Sequence, residues 1–347
     1  MKRHLTRLTA MAAAVCAAAL LAACGSDDEG SSASKTATPA GKKLKVAMVT
    51  DIGGLNDRSF NALAYKGLQD AEKQLGVDIR AVTSKSNADY VPNLSSLARQ
   101  KYDVVFAVGF LMADATAKVA KSFPQTKFAI IDVSQATLKG KPTNVEGLLF
   151  KENEAGYLAG YMAGLYVKDK GGEQVISTVG GQKIPPVDGY IAGYQAGAKA
   201  ANPKIETLNG YSQDFVDQAK CKELALNQID EGSQVVFQVA GQCGLGAIDA
   251  AKEKGVQAIG VDADQAFLGD QMLTSALKKI DESVVKTITD AQGDKFQAGK
   301  DTLFDAKSDG VGLGKANAEG SKLLPQVQKI QQQIASGEIA DIPNEVK

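Results

Sequence analysis

The stretch Asp51-Ile52-Gly53-Gly54-Leu55-Asn56-Asp57-Arg58-Ser59-Phe60 follows the apolar run Leu44–Thr50 (LKVAMVT) and precedes a segment with helical periodicity. An apolar strand that opens into a glycine-rich turn and then a helix is the repeating unit of α/β proteins. Ligands bind at such turns because free backbone N–H groups and the positive end of the helix dipole converge there. The alternation continues downstream. Strands are expected at Leu44–Thr50, Val77–Thr83, Tyr102–Val108, Phe128–Val133, Val145–Phe150, Gln174–Val179, Ile205–Tyr211, Gln234–Ala240 and Val256–Val261. Several are continuously apolar (VVFAV, FAII, VVF), as strands covered on both faces are. Between them, Ser59–Leu75 carries Ala64, Leu68, Ala71 and Leu75 on one helical stripe, and Val216–Ile229 carries a similar one. The pattern predicts an α/β fold with parallel sheets and right-handed crossovers, in two similar blocks, Leu44–Phe150 and Gln174–Val261.

Before these blocks, Lys2, Arg3 and Arg7 lead into an apolar stretch that ends Leu21-Ala22-Ala23-Cys24. Residues 1–23 read as an export signal. A small-residue site ending on cysteine resembles the lipobox of bacterial lipoproteins, with Cys24 as the lipidated residue; an ordinary signal with an incidental cysteine is the alternative. Residues 24–43 are small and polar and predict a flexible tether. Of 347 residues, about 300 remain, enough for two lobes. No later stretch approaches the ~18 uncharged apolar residues of a membrane span, so the lipid would be the only anchor.

Charge and cysteine usage narrow the chemistry. Lys and Arg (39) nearly balance Asp and Glu (40), which leaves no basic face for nucleic acid. The one histidine, His4, falls in the signal. The mature chain therefore has no Ser-His or Cys-His nucleophile and no His-ligated metal, and neither a metal nor another cofactor is expected. Cys221 and Cys243 remain as a pair in an exported domain, which suggests a disulfide worth about 3 kcal/mol on the chain-entropy model. Two buried reduced thiols are the alternative. Within Glu154–Val167, Gly156, Gly160 and Gly164 recur at intervals of four. Flanked by Lys151, Glu152, Glu154 and Lys168, this segment is expected to be a soluble helix packed closely on a sheet or helix, rather than a membrane dimer.

In open α/β sheets the residues just after each strand are the informative ones. Here they include Asp51, Gly109 and Phe110, Asp132, Gly241 to Gly244, Asp262, Asp264 and Gln265. Strand-end carboxylates with little positive charge beside them repel one another unless hydroxyl or amine donors fill the gap, and a neutral, hydroxyl-rich ligand fits that requirement. Each residue also has a plain reading: Asp51 and Asp132 as turn caps, Phe60 as a core anchor, Lys278 as a solvated lysine, Gly53 and Gly54 as turn residues.

The motifs DIGGLNDRSFN, KENEAGYLAGYMAG, GVDADQ and LTSALKKID, in that order from Leu44 past Asp281, resemble the basic membrane protein family of lipoproteins. This is the purine nucleoside receptor branch of the ABC-transporter substrate-binding proteins. The resemblance implies a type I periplasmic-binding fold: two Rossmann-like lobes with parallel sheets joined by a multi-strand hinge. Residues 44–150 plus about 265–297 would form the N-terminal lobe, and 151–264 plus about 298–347 the C-terminal lobe.

It also implies a ligand site. Asp51 would end the first strand, and Phe60 would form half of a clamp on a nucleobase, with Asn56, Ser59 and Asn61 as polar neighbours and Phe215 as the second aromatic. Asp132 would help hold the ligand, and Asp262 with Lys278 would grip ribose hydroxyls. Backbone contacts are expected at Gly241, although Cys243 in the GQCG turn departs from the family pattern. The function implied is a non-enzymatic, monomeric receptor, lipid-anchored at the extracytoplasmic face of the cell membrane. It would deliver a nucleoside, a purine by resemblance, to the permease and ATPase of an ABC importer. Two alternatives stand beside it. One is a sugar or signal-molecule receptor of the same fold. The other is a calcium-dependent nucleoside hydrolase, for which Asp51 and Asp57 lack an adjacent aspartate pair.

Overall fold

The computed structural model describes residues 43–347. The expected signal peptide, Cys24 and all of the tether but Lys43 lie outside the described residues.

The first block runs β1 (Lys45–Thr50), α1 (Phe60–Leu75), β2 (Asp78–Thr83), α2 (Tyr90–Arg99), β3 (Val104–Ala107), α3 (Ala113–Ser122), β4 (Lys127–Ile131) and β5 (Val145–Phe150). The second runs α4 (Glu152–Lys170), β6 (Val175–Gly180), α5 (Pro185–Ala201), β7 (Glu206–Tyr211), α6 (Gln218–Asp230), β8 (Ser233–Val239), α7 (Gly244–Lys254), β9 (Gln257–Asp262) and β10 (Met272–Lys278). Then follow α8 (Ile280–Gln292), β11 (Asp301–Phe304), β12 (Val311–Leu313) and α9 (Ala318–Ser336).

Two six-stranded sheets result, ordered β11-β5-β4-β3-β1-β2 and β12-β10-β9-β8-β6-β7. Without the outer strands β11 and β12 the two orders are the same, so the two blocks visible in sequence are two copies of one topology. The continuously apolar strands β1, β3 and β4 are buried, as helices on both faces require, whereas the edge strands β2 and β7 are partly exposed. Pairing is parallel except that β12 runs antiparallel to β10.

The lobe boundaries differ from those expected. β10 pairs with β9 and so belongs to the second lobe, not the first. β11 pairs with β5, Asp301 opposite Gly147 through Phe304 opposite Phe150, and so belongs to the first lobe, not the second. Packing follows the same division. α8 lies on α1 in the first lobe, while α4 lies on α5 and α9 in the second. The chain therefore crosses between lobes at Lys151, at Lys279 and within residues 305–310. These crossings are bonded to one another, Lys151 N to Phe304 O and Lys279 N to Gly310 O, both at 2.9 Å. Among the described residues no helix is long and apolar enough to cross a membrane.

The glycines spaced by four sit where two helices meet backbone to backbone. A Cβ at Gly156 or Gly160 of α4 would overlap the carbonyl oxygen of Tyr190 or Tyr194, and one at Gly193 or Gly197 of α5 would overlap that of Asn153 or Tyr157. The spacing thus marks a close helix–helix contact. We expect Gly160→Val to force α4 from α5 at a cost of about 1–3 kcal/mol. Thermal unfolding followed by circular dichroism should show a Tm lowered by roughly 2–4 °C per kcal/mol; an unchanged Tm would contradict this packing.

Candidate functional site

The loop after β1 spends its polar groups on itself. Asp51 Oδ1 accepts from Gly53 N at 2.8 Å and Asn61 Nδ2 at 2.7 Å, and Asn61 Oδ1 accepts from Asp51 N at 3.2 Å. Asp57 accepts from the backbone N–H groups of Ser59 (3.1 Å), Asn61 (2.7 Å) and Ala62 (3.0 Å). The start of α1 is therefore not a set of free N–H donors open to a ligand, as the glycine-rich turn suggests; the Asp57 carboxylate has taken them. Burial pushes both carboxyls up, Asp51 to about 6, against the pull of these hydrogen bonds.

A cavity lies between the lobes. Asp51, Phe60, Asn61, Phe110 and Asp132 line it from the first lobe, and Tyr190, Phe215, Gly241, Asp262 and Lys278 from the second. Phe215 is held from two sides. Its ring lies so close to Gly181 that any Cβ there would clash with it, and its carbonyl accepts from Cys243 N at 3.1 Å. Cys243 is in turn bonded to Cys221, with the two Cα atoms 5.5 Å apart. The disulfide ties the start of α6 to the GQCG turn and so braces the aromatic.

Lys278, at the end of β10, is 1% exposed. Its Nζ lies 2.5 Å from Asp132 Oδ1 and 2.9 Å from Glu152 Oε1, and 5.2 and 4.9 Å from the ring centres of Phe60 and Phe150. Burial pulls the ammonium pKa down, but Asp132, Glu152 and Asp262 outweigh it and hold Lys278 above its ordinary value. Burial pushes Glu152 up to about 7, with Lys278 opposing and Asp132 adding. It raises Asp132 also, against the same ammonium.

Asp262 is pushed up to about 6 by burial. Its bonded partners are Ser59 Oγ, 2.9 Å from Oδ2, and Tyr190 OH, 3.1 Å from Oδ1. Lys278 makes its ion pairs with Asp132 and Glu152 and also acts electrostatically on Asp262, offsetting part of that carboxyl's burial. Asp132, just past β4, and Asp262, the last residue of β9, end equivalent strands, and both have left-handed backbones, φ 71° and 61°.

Of the residues singled out in the sequence, Asp51, Phe60, Asn61, Asp132, Phe215, Gly241, Asp262 and Lys278 share this cavity. Asn56 does not. It is exposed in a separate groove with Arg58, Gln218 and Leu245, because the turn closed by Gly54 N on Asp51 O redirects the chain before it. Ser59 is buried beside the cavity and bonded across it. Sequence reasoning weighed Asp57 only as a calcium ligand and passed over Glu152 and Tyr190 as site residues. Glu152 carried a signal, since it stands just beyond β5 as Asp51 stands beyond β1; Tyr190 lies on a helix with no strand-end mark. Among the described residues no group of His, Cys, Asp and Glu is arranged to hold a metal ion.

The sequence matches the family model Bmp, described as ABC transporter substrate-binding protein PnrA-like, over residues 44–344. A CD4+ T-cell-stimulating antigen of Listeria monocytogenes is 35% identical over 357 residues, covering 95% of this chain and 96% of that protein. An ABC transporter nucleoside-binding protein, BmpA, of Lactococcus lactis is 34% identical over 362 residues, covering 98% and 99%. Among solved structures, an ABC transporter solute-binding protein from Aeropyrum pernix superposes with a TM-score of 0.78 at 27% identity, covering 87% of this chain and 94% of that one.

The raised carboxyls set a pH dependence. Asp51, Asp262 and Glu152 hold protons more tightly folded than unfolded, so their contribution to stability is full below about pH 4 and is lost as pH rises through about 6 to 7. Asp214, lowered to about 2 chiefly by Lys220, acts only below that window. We expect the Tm without added ligand to fall from about pH 5 to pH 7.5, and Glu152→Gln to flatten part of the slope. A Tm that stays level or rises would contradict the burial of these groups. Lys278→Met, which strands two carboxylates, should cost about 3–5 kcal/mol in urea unfolding at neutral pH and less near pH 5.

Proposed function

The chain belongs to the Bmp family of PnrA-like ABC transporter substrate-binding proteins, and on that premise we propose that it binds a nucleoside between its lobes and delivers it to a permease. The observation that carries the ligand class is the pair of aromatics, Phe60 and Phe215, lining one cavity from opposite lobes. A planar base between two rings gains about 1–3 kcal/mol from each stacking partner. Asp51 and Asn61, already bonded together beside Phe60, meet the polar edge of the base. Asp132 and Asp262 accept from ribose hydroxyls, and such charge-assisted bonds contribute about 1.5–3 kcal/mol each. Lys278 lies against Asp132 and favours its ionised form in opposition to burial. The name of the Lactococcus lactis relative agrees with this ligand class.

The protein is a receptor without an enzymatic step. Asp57, which a calcium-dependent hydrolase would need as a metal ligand, is saturated by three backbone donors and Asn61 Nδ2 at 3.0 Å. Lipid on Cys24 holds it, as a monomer, at the extracytoplasmic face of the membrane. Ligand shifts it toward a closed form that docks on the permease, whose ATPase works inside the cell.

Isothermal titration with adenosine, guanosine, inosine, cytidine, uridine and ribose tests the ligand class. Micromolar or tighter binding to at least one nucleoside, with none to ribose, is expected. Phe60→Ala and Phe215→Ala should each weaken it by about 5- to 150-fold. Binding to ribose alone, or to nothing in the panel, would overturn the nucleoside reading.

A further inference from the structure

Ser59 stands at the N-cap position of α1, yet its side chain makes no cap bond, because Asp57 already serves that turn. Its hydroxyl is turned to the other lobe instead. Oγ lies 3.0 Å from Val261 O and 2.9 Å from Asp262 Oδ2. A serine hydroxyl has one proton, and both of these neighbours are acceptors when Asp262 is ionised. Only one of the two contacts is then a hydrogen bond, and the other sets two oxygens against each other. With a proton on Asp262 Oδ2 both are satisfied: the carboxyl donates to Ser59 Oγ, and Ser59 donates to Val261 O. Tyr190 OH donates to Oδ1 in either state. Beside this group, Gln265 Nε2 donates to Arg58 O at 3.1 Å, a second bond between the lobes that has no titrating member.

We propose that Ser59 and Asp262 form a proton-dependent latch between the two lobes, in which Ser59 positions the lobes and does not contact the ligand.

The groups facing Asp262 divide. Burial, the largest influence, and Asp132 favour the proton, while Lys278 and the hydrogen bonds from Ser59 and Tyr190 favour the ionised form, and the balance lies at about 6. Glu152 faces the same ammonium and Tyr190 from α4, and Asp51 and Asp57 line the first-lobe wall. Acid therefore fastens the lobes together and neutral pH loosens them. A ligand hydroxyl that reaches Asp262 does what the proton does, by supplying the missing donor. The latch concerns the protein without ligand and stands apart from the nucleoside reading.

The test is single-molecule FRET on the full chain in detergent without nucleoside. Dyes enter through non-natural residues at exposed Lys73 of the first lobe and Lys252 of the second, which leaves the disulfide intact. In the parent protein the closed fraction should fall between about pH 5 and pH 7.5 with a midpoint near 6. Ser59→Ala should lower the closed fraction at acid pH to its neutral value and flatten the profile. Asp262→Asn, whose amide carries a donor at every pH, should stay closed throughout. A parent profile independent of pH, a Ser59→Ala profile equal to the parent's, or a pH response that survives in Asp262→Asn would each overturn the latch. Titration with the nucleosides reads the ligand class separately, so failure of one leaves the other standing.

Discussion

Removing an ammonium from water costs several kcal/mol unless carboxylates surround it, and Lys278 is surrounded by carboxylates that no single lobe supplies. Asp132 comes from the end of β4 in the first lobe, Glu152 from the crossing that enters α4, and the lysine itself from β10 in the second lobe. The ion cluster forms only when both sheets and the crossing at Lys151 are in register. That crossing is bonded to the chain leaving β11, and the crossing at Lys279, next to the lysine, to Gly310. Hinge and binding cleft are therefore one construction. More negative than positive charge is buried in it, so its carboxyls sit near their protonation points and respond to any donor that enters.

The repeated topology explains why two aspartates share an unusual backbone. Asp132 and Asp262 end equivalent strands, and both turn left-handed there. Asparagine and aspartate tolerate this region better than other non-glycine residues. Glycine would adopt the turn freely but would remove the carboxylate. The modest strain is kept where a charged group must face the cleft from the edge of a sheet.

Much of the fold was legible. Continuous apolar runs such as VVFAV and FAII marked buried strands, and the residues after them marked part of the cavity wall. Legibility failed where local pattern carried no signal. β10, MLTSALK, mixes hydroxyl and small residues with its apolar ones, and β11 and β12 have only four and three residues. Without them the lobe boundaries fell too early. The pairing of charges was equally hidden: the carboxylates could be named one by one, but which strand end faces which is a property of two sheets meeting. Asn56 and Ser59 show the same limit on a smaller scale, since one turn sends the first outward and an aspartate two residues earlier frees the second.

The interleaving of the sheets constrains how the chain acquires its shape. Emerging from its N-terminus, the first lobe can assemble β1 to β5 early. The free edge of β5 then waits for β11, which arrives only after the entire second sheet except β12 has been delivered. During that interval the first lobe presents an unpaired edge, the kind of surface that recruits foreign strands. Its final covering is thus tied to the second lobe's passage, and a stalled or truncated molecule would leave two unfinished halves instead of one finished one.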